Sequence, residues 1–259
     1  KVRLVNGITD CGFTKVEVTS FVSPKWVPQM SDAAKVLEGI DRKSSVTYAA
    51  LTPNMKGFER ALSAKATEVA IFAAASEGFS QANINCSIEE SLARFAPVLK
   101  AAREHGIAVR GCLSCVTDCP YDGVVDPDSV VRVAMALTNM GCYEISLADT
   151  IGSGTPDQVA AMLDAVLNEL PADRLAGHFH DTNGRALENI AVSLEKGLRV
   201  FDSSVGGLGG CPYAPGATGN VATEAVVQMV EDMGYDTGLN FEKLSQVATF
   251  AQSLASKNG

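Results

Sequence analysis

Apolar segments rich in β-branched residues alternate with helical patterns along the chain, at a spacing of roughly 30 residues. Seven of these segments are predicted strands, at residues 15–21, 45–51, 68–75, 108–116, 143–149, 175–181 and 199–205. Two strands joined through a helix pair in parallel, because the crossover helix returns the chain to its starting edge. The alternation therefore predicts an α/β protein with a parallel sheet.

Polar residues follow nearly every predicted strand, and this spread favours a barrel over an open sheet. The active site of a (β/α)8 TIM barrel forms at the carboxyl ends of all strands, whereas an open doubly wound sheet uses one switch point. The polar positions are Glu17, Ser20, Thr52, Asn54, Ser114, Asp149, Thr150, 178–182 and 202–204. We therefore predict an α/β fold of the (β/α)8 TIM barrel type. Because a lone helix is predicted for 1–12, the first strand of such a barrel would precede Lys1.

The predicted helices carry their own start signals, and no linker interrupts their series. Ser87 with Glu90, and Thr155 with Gln158, have the spacing of capping boxes. No low-complexity tract or charge block separates one part of the sequence from another. We therefore expect a single catalytic domain over residues 1–259.

The charge and cysteine content limit the expected partners and compartment. The net charge is −9 and the isoelectric point is near 4.9, so we expect neither nucleic acid nor an anionic membrane surface as a partner. Small molecules or proteins are the expected partners. The sequence has no run of about 18 apolar residues and no signal-peptide pattern. Its seven cysteines, an odd number, fit reduced thiols, and we predict a cytoplasmic location.

The segment GHFHDTNG, residues 177–184, places two of the three histidines of the chain one residue apart. Side chains at positions i and i+2 of a strand point to the same side, so His178 and His180 should converge. A convergent imidazole pair at a barrel mouth, next to Asp181, favours a metal site. The pair alone does not choose the metal, because zinc prefers further thiolates or carboxylates while Mg²⁺ and Mn²⁺ prefer oxygen ligands.

A second candidate cluster, Cys112, Cys115 and Cys119, has the spacing C-x2-C-x3-C. This order is the reverse of the C-x3-C-x2-C motif of radical enzymes that use S-adenosylmethionine. Cys112 and Cys115 would also point to opposite faces of a strand. The sequence therefore favours core packing for Cys112 over an iron–sulfur or zinc cluster.

The loop GGLGGCPYAPGATGN, residues 206–220, follows the last predicted strand. Pro212 stands where a dinucleotide-binding motif needs its third glycine, and no Lys-Ser/Thr pair follows to form a phosphate loop. Glycines that permit hinge motion suit a lid, and a thiol in so polar a loop is not a core residue. We therefore favour a mobile flap with a catalytic Cys211 over an ordinary loop with an incidental cysteine.

Five segments of the sequence, in order, resemble the 3-hydroxy-3-methylglutaryl-CoA lyase family. They are EVTSFVSPKWVPQM (17–30), NINCSIEES (83–91), GCYEISLADTIGSGTP (141–156), HFHDTNG (178–184) and the loop 206–220. The resemblance implies a TIM barrel that binds Mg²⁺ or Mn²⁺ and cleaves a CoA thioester substrate to acetyl-CoA and acetoacetate. It also implies a place in leucine degradation and ketone-body metabolism, and a homodimer.

The resemblance also implies roles for individual residues. His178 and His180 match the metal-binding histidines, and Asn220 matches an oxygen ligand. The catalytic positions match Cys211, His178, Asp149 and Glu17. A further metal-binding aspartate, preceded by an arginine, belongs to the family's first strand, which would lie before Lys1.

Two other classes of protein remain open at this point. A related condensing enzyme of the isopropylmalate or homocitrate synthase type would share the metal-dependent barrel, but such enzymes usually carry additional C-terminal domains. A catalytically inactive barrel would suit a chain without the first strand. The chain keeps the metal-binding and catalytic residues that the resemblance implies, which argues against the inactive form. These are His178, His180, Asn220 and Cys211. The residues that bind the CoA phosphates are not identified, although Lys25, Lys56 and Asn83 are candidates.

Overall fold

Strands and helices alternate throughout the computed structural model, which describes residues 1–209 and 219–255. In this part of the chain the strands are β1 (Lys15–Ser20), β2 (Thr47–Leu51), β3 (Glu68–Ala74), β4 (Ala108–Ser114), β5 (Asp118–Cys119), β6 (Gly123–Val124), β7 (Glu144–Asp149), β8 (Leu175–Phe179) and β9 (Phe201–Asp202). The helices are α1 (Val2–Asp10), α2 (Ala33–Gly39), α3 (Met55–Ser63), α4 (Glu77–Ile84), α5 (Ile88–Glu104), α6 (Pro127–Met140), α7 (Pro156–Leu167), α8 (Ala186–Glu195), α9 (Thr223–Asp232) and α10 (Phe241–Ala255).

Seven of the strands form one parallel sheet whose spatial order follows the chain. The order is β1-β2-β3-β4-β7-β8-β9, and every neighbouring pair is parallel. Each crossover therefore passes through a helix and adds the next strand to the same growing edge. The predicted alternation of strands and helices is confirmed.

Two ion pairs across the inner face show that the sheet is curled. Lys15 Nζ on β1 lies 3.6 Å from Glu144 Oε1 on β7, and Arg110 Nη1 on β4 lies 2.9 Å from Asp202 Oδ2 on β9. In a flat sheet, β1 and β7, four positions apart, would be separated by roughly 19 Å, and β4 and β9, three positions apart, by roughly 14 Å. The sheet therefore bends round an interior lumen, and the predicted TIM-barrel type of fold is confirmed.

The outer face of the sheet is the hydrophobic core. Val109 and Leu113 of β4 and Ile145 of β7 are almost fully buried, together with Leu137 of α6. Removing such side chains from water is the main driving force for packing the helices onto the strands. Apolar residues on the outer face alternate with polar ones on the inner face, so the lumen receives the residues available for chemistry.

The two capping boxes predicted from the sequence are present at the N-termini of their helices. Both capping boxes are present, with the Ser87 hydroxyl accepting from the Glu90 amide and the Thr155 hydroxyl accepting from the Gln158 amide. In each, the carboxylate or amide side chain accepts from the backbone amide of the capping residue in return. These caps fix where α5 and α7 begin, and hence the length of the loops that precede them.

Three details differ from the sequence prediction. The strand predicted for 199–205 is only two residues long, because Ser204 pairs with Ala222 instead of continuing β9. β8 ends at Phe179, one residue before His180. The strand predicted for 108–116 ends at Ser114, because Cys115 adopts a left-handed backbone with φ of 59°, and the hairpin β5–β6 follows it.

None of the helices within 1–209 and 219–255 combines the length and the apolar character needed to cross a membrane.

Candidate active site

A chain of ion pairs runs across the inner face of the barrel. Lys15 Nζ lies within 3.6 Å of carboxylate oxygens of both Glu68 and Glu144, and it also donates to the Tyr143 hydroxyl. The buried Arg110 guanidinium donates through Nε to Glu144 at 2.6 Å. A buried guanidinium is tolerable only where carboxylates compensate its charge. This network therefore fixes Arg110 in the middle of the lumen.

Asp202 lies next to Arg110 and joins the network to His178. Its Oδ2 accepts from Arg110 Nη1 at 2.9 Å and from Ser146 Oγ at 2.7 Å, and lies 3.2 Å from His178 Nδ1. Burial by itself would raise the pKa of Asp202, but Arg110 and His178 hold it well below its usual range. Asp202 was predicted only as one of the polar residues at strand ends. The residue it would contact could not be predicted, because that contact depends on the register of β9 against β8.

His178 and His180 converge as predicted. Their ring centroids are 5.4 Å apart. His180 lies just beyond the end of β8 and keeps an extended backbone by pairing with Asn220 in an isolated antiparallel bridge. Burial, with His178 adding to its effect, lowers the pKa of His180 to about 4, so its ring is neutral near neutral pH. A neutral imidazole can donate a lone pair to a metal ion.

Asn220, the third predicted metal ligand, lies beside His180 through that bridge. Its Nδ2 donates to the Leu208 carbonyl at 3.3 Å, and its side chain also interacts with the His180 ring. His180 Nδ1 is buried without a hydrogen-bond partner, as expected of an atom that awaits a ligand. Two imidazoles and an amide oxygen fit a divalent cation. In the described part of the chain, no group of three or more His, Cys, Asp or Glu side chains offers a rival site.

Glu17 lies on the inner face of β1, level with Ala49 and Glu68 of the next two strands. The side chain is accessible to water, yet it is enclosed by the walls of the lumen. This enclosure raises its pKa, and the nearby Asp202 carboxylate raises it further. An accessible carboxylate with a raised pKa is suited to give or take a proton.

Asp149 ends β7 and has no exposed surface. Its carboxylate accepts from the amides of Ser153 and Gly154 and from the Thr117 hydroxyl, at 3.3, 3.0 and 3.1 Å. Burial raises its pKa, although these hydrogen bonds act in the opposite direction. The described contacts of Asp149 thus bind the loop that follows β7, and its catalytic role stays a prediction.

Cys112 and Cys119, two of the cysteines singled out in the sequence, occupy different environments. Cys112 is partly exposed on the inner face, in register with Ser146, so the core packing predicted for it is wrong. Cys119 is buried and its sulfur accepts from the amides of Tyr121 and Asp122, which is a structural role in the β5–β6 turn. The predicted catalytic residue Cys211 lies outside the described residues.

A protein-family model described as HMGL-like matches residues 1–251, nearly the whole chain. The chain belongs to the HMGL-like family. A curated member from Pseudomonas aeruginosa, named 3-hydroxy-3-isohexenylglutaryl-CoA/hydroxy-methylglutaryl-CoA lyase, is 59% identical over 244 residues. That alignment covers 94% of this chain and 81% of the relative. The family resemblance predicted from the five sequence segments is confirmed.

Solved structures of HMGL-like proteins superimpose closely on the chain. The HMG-CoA lyase from Brucella melitensis is 60% identical, with a TM-score of 0.95 over 98% of this chain and 89% of that one. An HMG-CoA lyase from Acinetobacter baumannii, solved with coenzyme A and 3-methylmalate, is 35% identical with a TM-score of 0.93. It covers 98% of this chain and 83% of its own. The HMGL-like fold is therefore shared over almost all of the chain.

Proposed function

We propose that this chain is a divalent-metal-dependent carbon–carbon lyase that cleaves 3-hydroxy-3-methylglutaryl-CoA to acetyl-CoA and acetoacetate. The observation that carries the proposal is the meeting of His178, His180 and Asn220 at one end of the lumen in a member of the HMGL-like family. Support also comes from the names of relatives that share more than half of its residues. Coenzyme A in the A. baumannii relative supports a CoA thioester as the substrate.

Cleavage must remove the proton of the tertiary hydroxyl while the adjacent carbon–carbon bond breaks and its electrons pass to the acetyl-CoA enolate. His178, His180 and Asn220 would hold the metal, Mg²⁺ or Mn²⁺. When bound, the cation would act as a Lewis acid toward the substrate oxygens. His178 and Glu17 are the predicted catalytic residues that are reachable from the lumen. Because His178 would use its free ring nitrogen to hold the metal, we assign the hydroxyl proton to Glu17.

The remaining predicted residues complete the reaction in different ways. Protonation of the enolate carbon gives acetyl-CoA, and we assign this proton to the Cys211 thiol, as the family resemblance implies. Asp149 is fully buried and bound to the loop after β7. The catalytic role that the family resemblance implies for Asp149 stays part of the proposal, and its hydrogen bonds also hold that loop beside the site.

A coupled assay that detects acetyl-CoA tests this proposal directly. The full-length protein with Mg²⁺ or Mn²⁺ should release acetyl-CoA from 3-hydroxy-3-methylglutaryl-CoA, and a chelator should stop the release. Condensation of acetyl-CoA with a 2-oxo acid, without cleavage, would replace the lyase with a synthase. Tight binding of the thioester without either reaction would indicate an inactive barrel.

A wider substrate range is a second candidate, favoured by the name of the P. aeruginosa relative, which includes a 3-isohexenyl substrate. The same assay with 3-hydroxy-3-isohexenylglutaryl-CoA decides between a dedicated and a dual lyase. Equal kcat/KM values for both thioesters would support dual use, whereas activity with the methyl compound alone would exclude it.

The setting of the reaction follows from the same proposal. The family resemblance supports a place for the enzyme in leucine degradation and ketone-body metabolism. We propose a cytoplasmic location, because the cysteine usage of the sequence fits a reducing compartment. The family resemblance favours a homodimer. Sedimentation equilibrium of the full-length protein tests the assembly.

A further inference from the structure

We propose that Asp202 is a positioning residue, which holds His178 in the tautomer that leaves the Nε2 lone pair available to the divalent ion. The inference rests on the proposed function only in assuming that the cation binds at His178 and His180. It concerns a residue outside the predicted ligand set. The evidence is the set of contacts around one carboxylate oxygen.

Two hydrogen-bond donors and one imidazole nitrogen, from three different strands, lie around Asp202 Oδ2. They are Arg110 Nη1 at 2.9 Å, Ser146 Oγ at 2.7 Å and His178 Nδ1 at 3.2 Å. Arg110 and Ser146 lie on β4 and β7, whereas Asp202 lies on β9. The oxygen is therefore fixed from the far side of the lumen and cannot turn away from the imidazole without losing two strong bonds.

The chemistry of the pair fixes the position of the imidazole proton. An ionised carboxylate can only accept hydrogen bonds, so the neutral ring of His178 must carry its hydrogen on Nδ1. Nε2 is then left with the lone pair. About a third of the His178 side chain is exposed, so this ring can be reached from the lumen. Histidine ligands of metals are commonly oriented in this way by a second hydrogen bond.

The short strand β9 is what brings the two residues together. Its two residues pair in register with β8, Phe201 opposite Gly177 and Asp202 opposite His178. Paired residues of parallel strands share a face, so Asp202 and His178 both point into the lumen. The extended segment ends there, because Ser204 pairs with Ala222 instead. β9 therefore places the Asp202 carboxylate next to the His178 imidazole.

The wild-type protein provides the first test, through long-range ¹H–¹⁵N correlation of the histidine rings. The metal-free protein would be measured near pH 8. The chain has only three histidines, so His105→Gln and His180→Gln variants assign the His178 signals. We expect hydrogen on Nδ1 and a bare Nε2. A His178 ring with its hydrogen on Nε2 would overturn the proposal.

Two substitutions of Asp202 then show whether His178 needs the hydrogen-bond acceptor itself or the negative charge of the carboxylate. Asp202→Ala removes the acceptor, so the His178 hydrogen should shift toward Nε2, and Mn²⁺ affinity measured by electron paramagnetic resonance should fall about 10–100-fold. Asp202→Asn keeps an oxygen that Arg110 and Ser146 can orient, so it should restore the Nδ1–H tautomer and most of the affinity. An Asp202→Ala protein with wild-type tautomer and affinity would contradict the positioning role.

Glu144→Ala is the matched control. It removes the other carboxylate bound to Arg110 but no contact to His178. We expect it to lower stability while leaving the His178 tautomer and Mn²⁺ affinity unchanged. Equal loss of affinity in Glu144→Ala and Asp202→Ala would show that Asp202 acts only through general stability. Neither the tautomer measurement nor the Mn²⁺ titration uses a thioester. A lack of lyase activity would therefore contradict the proposed function without contradicting this inference.

Discussion

The backbone of His180 is bridged to that of Asn220, although α8 and β9 separate the two residues in the chain. The bridge places an imidazole and an amide from different loops on one rigid piece of backbone. Leu208 then orients the Asn220 amide by accepting from its Nδ2. Two of the three proposed metal ligands are therefore arranged before any cation arrives, which lowers the cost of ordering them on binding.

Replacing Asn220 with alanine should weaken Mn²⁺ binding at least tenfold, because one proposed oxygen ligand is lost while the backbone bridge to His180 remains. Isothermal titration calorimetry of the metal-free protein measures the effect. Asn183→Ala is a suitable control, since that amide donates to the Gly152 carbonyl and is not a proposed ligand. Unchanged affinity in Asn220→Ala would remove Asn220 from the ligand set.

Replacing Cys211 with serine should lower turnover by about 10²–10⁴-fold, the usual contribution of a placed proton-transfer group. The thermal midpoint and Mn²⁺ affinity should stay close to those of the wild type. Cys115→Ser serves as the control and should not show this loss of turnover. If Cys211→Ser loses activity only through unfolding or metal release, the catalytic role is withdrawn.

The metal-free protein should lose stability as the pH falls through the range from 6.5 towards 4. The pKa of His180 is lowered from 6.5 to about 4 by burial and by His178, so the unfolded chain binds a proton in this range that the folded chain does not. Stability therefore rises with pH, by up to about 1.4 kcal/mol per pH unit, and is complete above the unfolded pKa.

Urea unfolding at several pH values from 5 to 7, with a chelator present, measures this slope. His180→Gln should flatten it, whereas His105→Gln should leave it steep. Identical slopes for wild type and His180→Gln would show that another group carries the proton.

Replacing Gly152 with alanine should destabilise the protein by more than about 1–2 kcal/mol, the cost of a left-handed backbone alone. Its φ is 65°, and a Cβ would lie 2.7 Å from the His180 carbonyl oxygen. Because that oxygen belongs to a proposed ligand, Mn²⁺ affinity should also fall. Urea unfolding and calorimetry provide the two measurements.

Gly234→Ala measures the loss of stability caused by the left-handed backbone alone. Gly234 has a φ of 90°, but a Cβ added there would have nothing within 4 Å of it. The variant should therefore lose stability without losing metal affinity. If Gly152→Ala resembles Gly234→Ala in both measurements, the contact with His180 has no consequence for the site.

Local patterns in the sequence were sufficient to predict much of the fold. The alternation of strands and helices and the capping boxes at Ser87 and Thr155 depend on neighbouring residues only, and all of them are confirmed. The convergence of His178 and His180 also follows from the local period of an extended chain. These features need no information about distant contacts.

The features that could not be predicted depend on contacts between distant segments. The inner-face position of Cys112 requires the register of β4 against its neighbours, and the contact between Asp202 and His178 requires that of β9 against β8. The burial of Asp149 arises because three groups from two loops converge on its carboxylate. A strand-end carboxylate can face the lumen or a loop, and the sequence pattern is the same for both.

The segment from Gly209 to Gly219 leaves and re-enters the fold at nearly the same point. A Cβ added to Gly219, where φ is 127°, would collide with the Gly209 carbonyl oxygen. Because both ends are anchored together, the entropic cost of changing the intervening length is small, about 0.6 kcal/mol for a doubling. Insertions between Gly209 and Gly219 could therefore be accommodated while Asn220 and His180 stay in place.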